Sequence, residues 1–457
     1  MQKFHDVENV ELVGLHSSGK SIGKWKNRNV FLEGGIPGEF VNLNIAKRQK
    51  KAFLEGSISK ILNASCYRQK PACKHFVQCG GCNWSHIQYL HQLVLKRQIL
   101  INALDKYEIK AGNLHKTIAS PNIFAYRNKL DFAFANEIGV NGDNNIMFGF
   151  HPSGNPQQVF KVEECLLMDS KSIEVCKFIV DKASEINCSV YDYQSKQGLL
   201  RGVTLRKNLD DKWMLILQVS ENNTEMINTL LNQIMERFSF VVSVYCCVIR
   251  GNDARYEDYQ YIYVAGEKYI FETLDEIRFR ISPQSFFQPN PLQAVNIFNK
   301  IAQIAEVSLG KFVYDLYTGV GTIPSFLSKH GCSVLGIEGN KYAIEDAKYS
   351  AEANGFNRLK FMVGDILDTF TRDFVDKHGK ADVVILDPPR SGTLMEIKKA
   401  IVYAEPETVI YLSCNPVSLA WDLKFLGEFY DVKELWPYDM FPNTHHVETL
   451  ALLKKKR

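Results

Sequence analysis

From about residue 310 onward, short apolar runs alternate with amphipathic stretches, and that alternation leaves few folds open. Phe312–Leu316, Ser333–Ile337, Lys360–Val363, Val383–Leu386 and Val409–Leu412 read as strands. Between the second and third, a helix is expected to start at Asn340, to carry Ile344, Ala347 and Ala351 on one face, and to stop at Gly355. Strands separated by helices cannot pair as hairpins, so they predict a parallel sheet with helices on both faces, a doubly wound α/β unit. Such sheets bind ligands at the carboxyl ends of their strands, and that is where chemistry should be sought.

The first of those ends reads Asp315-Leu-Tyr-Thr-Gly319-Val-Gly321-Thr322. Its glycines permit a tight strand-to-helix turn and close approach of backbone to a ligand, with Tyr317 inside the turn. Glu338 ends the next strand, where a carboxylate can accept hydrogen bonds from two ribose hydroxyls. The full dinucleotide pattern is missing, because Thr322, Ile323 and Pro324 follow Gly321. That argues against NAD and for S-adenosylmethionine, which brings no pyrophosphate to seat. Asp365, in Val-Gly-Asp after the third strand, is a candidate neighbour of the adenine, with a surface loop aspartate as the equal alternative.

Three later segments end on the same side: Asp387-Pro-Pro-Arg390, Ser413-Cys414-Asn-Pro and His446-Val-Glu448-Thr. Two prolines stiffen the first, so it can present a carboxylate to a flat base. Methyltransferases of exocyclic amines carry an aromatic residue in a related turn; Arg390 stands there instead. Cys414 lies between a strand and an expected helix, whose N-terminal N–H groups and dipole favour a thiolate. A buried structural cysteine is the plainer reading of that residue alone. With Glu448 the pair suggests a reaction: a thiolate adds to carbon 6 of uracil, carbon 5 becomes nucleophilic, and a general base then removes its proton.

Upstream, Val10 to Leu62 shows short strand-like runs with turns at Gly34, Gly35, Pro37 and Gly38, consistent with a small OB-like β-barrel. Lys47, Arg48, Lys50 and Lys51 on its flank suit phosphate contacts. Residues 1–110 hold 17 Lys and Arg against 8 Asp and Glu, within a formal charge of +3 for the 457-residue chain, so basic surface gathers where a polyanion would be collected. A helix is expected near 88–107, with Leu90, Val94, Ile101 and Leu104 along one side, and residues 120–285 read as β-rich. No apolar run approaches the roughly 18 residues of a membrane span. The longest, Val241–Ile249, reads as a buried strand, and the N-terminus lacks the apolar core of a secretion signal, so a cytoplasmic location is expected.

Eleven cysteines in such a chain favour free thiols, ligation or catalysis over disulfides. Cys73, Cys79 and Cys82 cluster, and Cys165 is a candidate fourth ligand. Four cysteinates suit a 4Fe-4S cluster or zinc, and spacing does not choose between them. Cys66 or His75 could replace the distant ligand.

Ser285-Phe-Phe-Gln288-Pro-Asn, Asp315-Leu-Tyr-Thr-Gly-Val-Gly, Asp387-Pro-Pro-Arg, Ser413-Cys414-Asn-Pro and Phe441-Pro-Asn-Thr-His-His-Val-Glu448 follow in that order. This closely resembles the RNA uracil-5-methyltransferase family, most of all its RlmD branch, which acts on 23S rRNA. The resemblance implies a multi-domain α/β protein: a TRAM-like RNA-binding barrel over 1–62, a β-rich central domain with an iron–sulfur site over 63–285, and a Rossmann-like class I methyltransferase domain over 286–457. The 88–107 helix would pack on the last of these. It implies Cys414 as nucleophile and Glu448 as base. Gln288 and Asp387 would contact cofactor and target base, Tyr317 and Glu338 match positions that bind S-adenosylmethionine, and Thr322 stands where relatives can have another polar residue; Gly319 of the glycine turn and Asp365 join this site from the reading of the strand ends above. It also selects a 4Fe-4S cluster on Cys73, Cys79, Cys82 and Cys165. The expected partner is 23S rRNA, with tRNA as the alternative and neither DNA nor a membrane involved, and the chain is expected to act as a monomer. A non-catalytic iron–sulfur RNA-binding protein is the remaining reading.

Overall fold

Alternation over Val41, Leu43 and Ile45 puts all three side chains into one apolar interior, with Val10, Leu12, Val30, Leu32 and Leu54. That interior belongs to a closed barrel of five strands in the order Phe4–Leu15, Ser21–Trp25, Arg28–Leu32, Leu54–Asn63, Phe40–Ala46. The computed structural model describes residues 4–46, 54–138, 144–155, 157–222, 224–253, 255, 258–307 and 309–457. The basic run Lys47, Arg48, Lys50 and Lys51 lies outside the described residues. The barrel is tied to the cysteine-rich segment by a bidentate pair: Arg68 donates to both oxygens of buried Glu39, at 2.6 and 2.7 Å.

The middle of the chain forms a seven-stranded mixed sheet backed by helices Lys171–Glu185 and Thr224–Arg237. Leu130, Phe132 and Phe134 alternate into its core, and Val241–Val248 is a buried strand as expected. Cys176, Cys188 and Cys246 pack inside this core as small apolar residues.

The C-terminal sheet has eight strands. Five are parallel, in the order Leu359–Val363, Ser333–Glu338, Phe312–Leu316, Val383–Leu386, Thr408–Ser413. The expected helix is capped by the Asn340 side chain, spans Lys341–Ala353 and ends before Gly355, which has φ +73°. Strand order reverses between Phe312–Leu316 and Val383–Leu386, so Asp315 and Asp387 flank the crevice where such sheets take ligands. Glu448–Lys455 then inserts antiparallel beside Thr408–Ser413, followed by Tyr430–Tyr438 and the short Asn113–Leu114. Among the described residues no helix is long and apolar enough to cross a membrane.

The helix expected near 88–107 spans Tyr89–Lys106, but its buried stripe differs from the one read from periodicity. Leu90 and Val94 are 77% and 60% exposed, whereas Gln92, Leu95, Lys96, Ile99, Leu100, Ala103 and Leu104 face inward. Two polar residues enter that stripe because the C-terminal chain supplies their partners. Lys96 donates to Asp439 Oδ1 at 2.5 Å and to the Phe441 carbonyl at 3.0 Å, and Gln92 exchanges hydrogen bonds with Asn443. Leu100, Ala103 and Leu104 join the core beneath Leu316, Val384 and Leu386.

Both charged groups of the Lys96–Asp439 pair are fully buried. Lys96→Met should therefore lower stability by about 3–5 kcal/mol in urea denaturation, since it strands a buried carboxylate, and adding Asp439→Leu should recover most of the loss. A single variant as stable as the parent would show that the pair is dispensable.

Candidate active site

At the end of the Phe312–Leu316 strand the chain turns sharply. Tyr317, Gly319 and Gly321 all have positive φ, at 65°, 55° and 77°. The two glycines serve different ends. A Cβ on Gly321 would stand 2.9 Å from the Phe361 ring, so packing excludes it, whereas one on Gly319 would meet open space. Glu338 braces the turn: its oxygens accept from the N–H groups of Gly319 at 3.2 Å and Asn340 at 2.9 Å. Thr322 opens the short helix Thr322–Ser328. The Tyr317 hydroxyl lies 3.2 Å from Thr393 Oγ1, and burial is the chief cause of its raised pKa, with the charges of Asp365, Asp422 and Glu338 adding to it. Asp365 is exposed and accepts from the Leu367 N–H at 2.8 Å, capping the turn that follows.

Carboxyl groups crowd this crevice. Asp315 is buried, its Oδ1 has no hydrogen-bond partner, and burial with the charges of Asp387 and Glu338 pushes it up to about 8. Asp387 is pushed up to about 7 by burial and by Glu338. Gln288 Nε2 approaches Asp387 Oδ2 at 3.4 Å.

Cys414 and Glu448 are 34 positions apart in sequence, and strand register brings them together. Leu412 pairs with Leu450 and Ser413 with Thr449, so the next step of the ladder sets Cys414 opposite Glu448. Glu448 is 5% exposed, and its Oε1 has no hydrogen-bond partner. Burial, followed by the Asp387 charge, raises its pKa well above the ordinary carboxylate range.

The stabilised thiolate expected for Cys414 from the helix N-terminus is not found. Burial and the charges of Glu448 and Asp387 push the thiol up to about 11, with Arg390 opposing them. The local chain explains why. Pro416 opens the Pro416–Leu426 helix without an N–H, and the Asn415 side chain takes the Val417 N–H, so neither of the first two helical positions offers Cys414 a donor.

Residues to which the motifs gave no role complete the site. Arg390 Nη2 lies 2.8 Å from His446 Nδ1, and the Arg390 carbonyl accepts from Asn415 Nδ2 at 2.9 Å. His445 is held by Asn83, whose Nδ2 lies 2.8 Å from its Nδ1. A cleft of about 180 Å³ opens beside Cys414, walled by Arg390, His445 and His446 and by Ser17 of the barrel. The adjacency of His445 and His446 to Glu448 in sequence was the one signal for them; Ser17 had none.

Cys73, Cys79, Cys82 and Cys165 are partly exposed free thiols. Burial and then the charges of Cys165, Cys79 and Cys73 push Cys82 up to about 12, and burial pushes Cys165 up to about 11. Cys82 thus senses the other three, yet among the described residues no group of three or more His, Cys, Asp or Glu side chains is arranged to hold a single metal ion. His75 Nε2, an alternative ligand, accepts the Glu163 N–H at 3.1 Å.

A protein of Bacteroides thetaiotaomicron described as an uncharacterized RNA methyltransferase is 34% identical, over 96% of this chain and all of that one. One of Porphyromonas gingivalis with the same description is 33% identical over 97% of this chain and 99% of its own. Among solved structures, the tRNA (uracil-54, C5)-methyltransferase of Pyrococcus abyssi in complex with S-adenosyl-L-homocysteine superposes with a TM-score of 0.77 at 28% identity, covering 98% of this chain and 100% of that one. The sequence profile of tRNA (Uracil-5-)-methyltransferase matches residues 88–456, the span that contains the carboxyl-lined crevice, Cys414 and Glu448. The chain therefore belongs to the tRNA (uracil-5-)-methyltransferase family.

Proposed function

We propose that this protein transfers a methyl group from S-adenosylmethionine to carbon 5 of a uridine in RNA through a covalent adduct between Cys414 and carbon 6. The observation that carries this reading is a cysteine set by strand register opposite a buried carboxyl with an unpartnered oxygen. Family membership independently supports S-adenosylmethionine-dependent methylation of uracil in RNA.

Cys414 gives its proton to solvent, and the thiolate adds to carbon 6 as the C5–C6 electron pair moves onto the uracil ring as an enolate. Carbon 5 takes the methyl group, and the donor leaves as a neutral thioether. The carboxylate of Glu448 then removes the proton from carbon 5, the C5–C6 double bond re-forms and the thiolate is expelled. Arg390 is the cation available to stabilise the thiolate, and it opposes the raised pKa of Cys414.

The crowded carboxyls fit a cationic donor. Burial, with the charge of Glu338 on both and of Asp387 on Asp315, raises the proton affinity of Asp315 and Asp387, and a sulfonium supplies both the electrophilic methyl and a compensating charge. In this reading Tyr317, Gly319, Glu338 and Thr322 hold the donor, Gln288 and Asp387 lie between donor and base, and Asp365 reaches the adenine from the turn that it caps.

A stacked uridine cannot reach a half-buried thiol, so the base must be extruded at a cost of a few kcal/mol, roughly what phosphate and single-strand contacts elsewhere on the protein can supply. We assign that task to a TRAM-like barrel over residues 1–62 and a central domain over 63–285, serving a methyltransferase domain over 286–457. The leading substrate is 23S rRNA. The Pyrococcus abyssi enzyme favours tRNA as the second reading: a tRNA methyltransferase spans 98% of this chain, so the full-length architecture does not separate the two substrates. For Cys73, Cys79, Cys82 and Cys165, four free and partly exposed thiols, we infer a 4Fe-4S cluster, which the four cysteinates would hold. They would hold such a cluster between them without the close grouping that a single ion demands.

Incubation with 5-fluorouridine-substituted RNA and S-adenosylmethionine should trap a denaturation-resistant adduct at Cys414, because fluorine cannot leave as a proton does. Adduct with 23S rRNA alone supports the leading substrate, adduct with tRNA alone replaces it, and no adduct with either overturns the mechanism. Cys414→Ala should abolish turnover while retaining S-adenosylhomocysteine binding, and Glu448→Gln should slow product release by about 10²–10⁴-fold with methylated adduct accumulating.

Asp315 and Asp387 are neutral in the free protein at mildly acid pH and must ionise to receive a cation. Affinity for S-adenosylmethionine should therefore rise between about pH 6 and pH 9, more steeply than affinity for the uncharged thioether product, in calorimetric titrations. Equal slopes would remove these carboxyls from the sulfonium site. Protein purified without oxygen should carry about four iron atoms per chain, and Cys82→Ser should lose them. Zinc in stoichiometric amount would replace that assignment.

A further inference from the structure

Behind the crevice lies a buried polar network that none of the steps above uses. Asp422, on the Pro416–Leu426 helix, and Lys398, on the Met395–Ala404 helix, are each 2% exposed and form an ion pair at 2.6 Å. Asp422 Oδ2 also accepts from the Tyr411 hydroxyl at 2.6 Å and from the Thr393 N–H at 2.8 Å. Burying a pair of charges is costly unless further hydrogen bonds satisfy them, and replacement by apolar residues is often at least as stable. Stability alone therefore gives little reason for this arrangement; what it touches gives more.

Thr393 closes the loop that begins at Asp387. Its hydroxyl lies 3.2 Å from the hydroxyl of Tyr317, a residue held at positive φ in the turn between Asp315 and Gly319. Gly392, next to it, has φ +82°, and a Cβ there would stand 2.6 Å from Asp422 Oδ2, so the loop is pressed against the carboxylate. The same helix holds the loop a second time, because Asn415 at its cap donates to the Arg390 carbonyl at 2.9 Å. One rigid helix thus begins two residues after Cys414 and grips the Asp387–Thr393 loop at two points. A single chain of contacts runs from Asp422 through Thr393 to the Tyr317 hydroxyl.

We propose that Asp422 is a positioning residue of the methyl-donor site, fixing the Asp387–Thr393 loop and, through Thr393, the Tyr317 ring against the donor. This rests on the reading of Tyr317 as a donor contact. Asp422 touches neither substrate; it sets where the loop and the ring stand relative to Cys414.

The test measures S-adenosylhomocysteine and RNA affinities of the full chain by calorimetry, together with the thermal unfolding midpoint. Thr393→Val removes the hydroxyl and keeps the N–H bond to Asp422; it should weaken S-adenosylhomocysteine binding about tenfold and leave RNA affinity and the midpoint unchanged. Thr393→Ser should restore binding, and Tyr411→Phe, which removes one bond to Asp422, should weaken it about threefold. Tyr317→Ala is the control for the underlying reading. If it loses S-adenosylhomocysteine while Thr393→Val and Tyr411→Phe bind as the parent does, the inference falls and the donor-site reading stands. If Tyr317→Ala binds as the parent does, both fall. A parallel loss of RNA affinity and unfolding midpoint in Thr393→Val would mark a general structural role and overturn the proposal.

Discussion

Glu448 faces Cys414 only because the segment leading into it is held along its length, and the buried Lys96–Asp439 pair is the anchor of that hold. From Asp439 the chain passes under a series of contacts from elements far away in sequence. Asn290 Nδ2 donates to the Met440 carbonyl, the Tyr126 hydroxyl to the Pro442 carbonyl, and the Trp84 N–H to the Asn443 carbonyl. Asn83 then takes His445. The barrel reaches the same place: the Trp84 indole donates to the Gly19 carbonyl, and a Cβ on Gly19 would stand 2.3 Å from His445 Cβ. Three parts of the chain thus converge on one strap, and the strap delivers the base.

That construction explains how a buried carboxyl with an unpartnered oxygen persists. An unsatisfied polar atom normally costs about 1–3 kcal/mol. Here the backbone on either side is fixed by hydrogen bonds and by the ladder to Thr408–Ser413, so Glu448 has no route to a more comfortable place. The same holds for the crevice as a whole. Asp315, Asp387 and Glu448 are gathered and buried at the strand ends; burial first, and then the charges of Asp387 on the other two and of Glu338 on Asp387, raise their proton affinities and leave the site short of positive charge. Cys414 shares this environment, and for that reason it is a thiol rather than a thiolate until the charge balance changes.

Much of the catalytic fold was legible because its signals are local. Parallel-strand runs, the Asn340 cap and the stop at Gly355 depend on residues within a few positions of one another, and they appear where the pattern put them. The barrel alternation was equally local. The buried face of the Tyr89–Lys106 helix was not, because Gln92 and Lys96 are acceptable inside only when Asn443 and Asp439 arrive from some 350 residues away. The raised pKa of Cys414 is hidden from the local sequence for a similar reason. A helix start is visible in sequence, but the use of its first donors by Asn415, and the approach of Glu448 and Asp387, are not.

The sequence by itself determined the doubly wound sheet, the glycine turn beside Glu338, and the residue types of a thiol–carboxyl pair, since periodicity, turn chemistry and strand ends are written over short distances. Only the tertiary structure decided that Cys414 and Glu448 lie opposite each other, that Arg390, His446 and Ser17 wall the same cleft, and that Asp422 supports the loop between them. These are meetings of elements distant along the chain, brought about by sheet order, antiparallel register and buried charge pairing. Each depends on which partners arrive, and no local pattern encodes that.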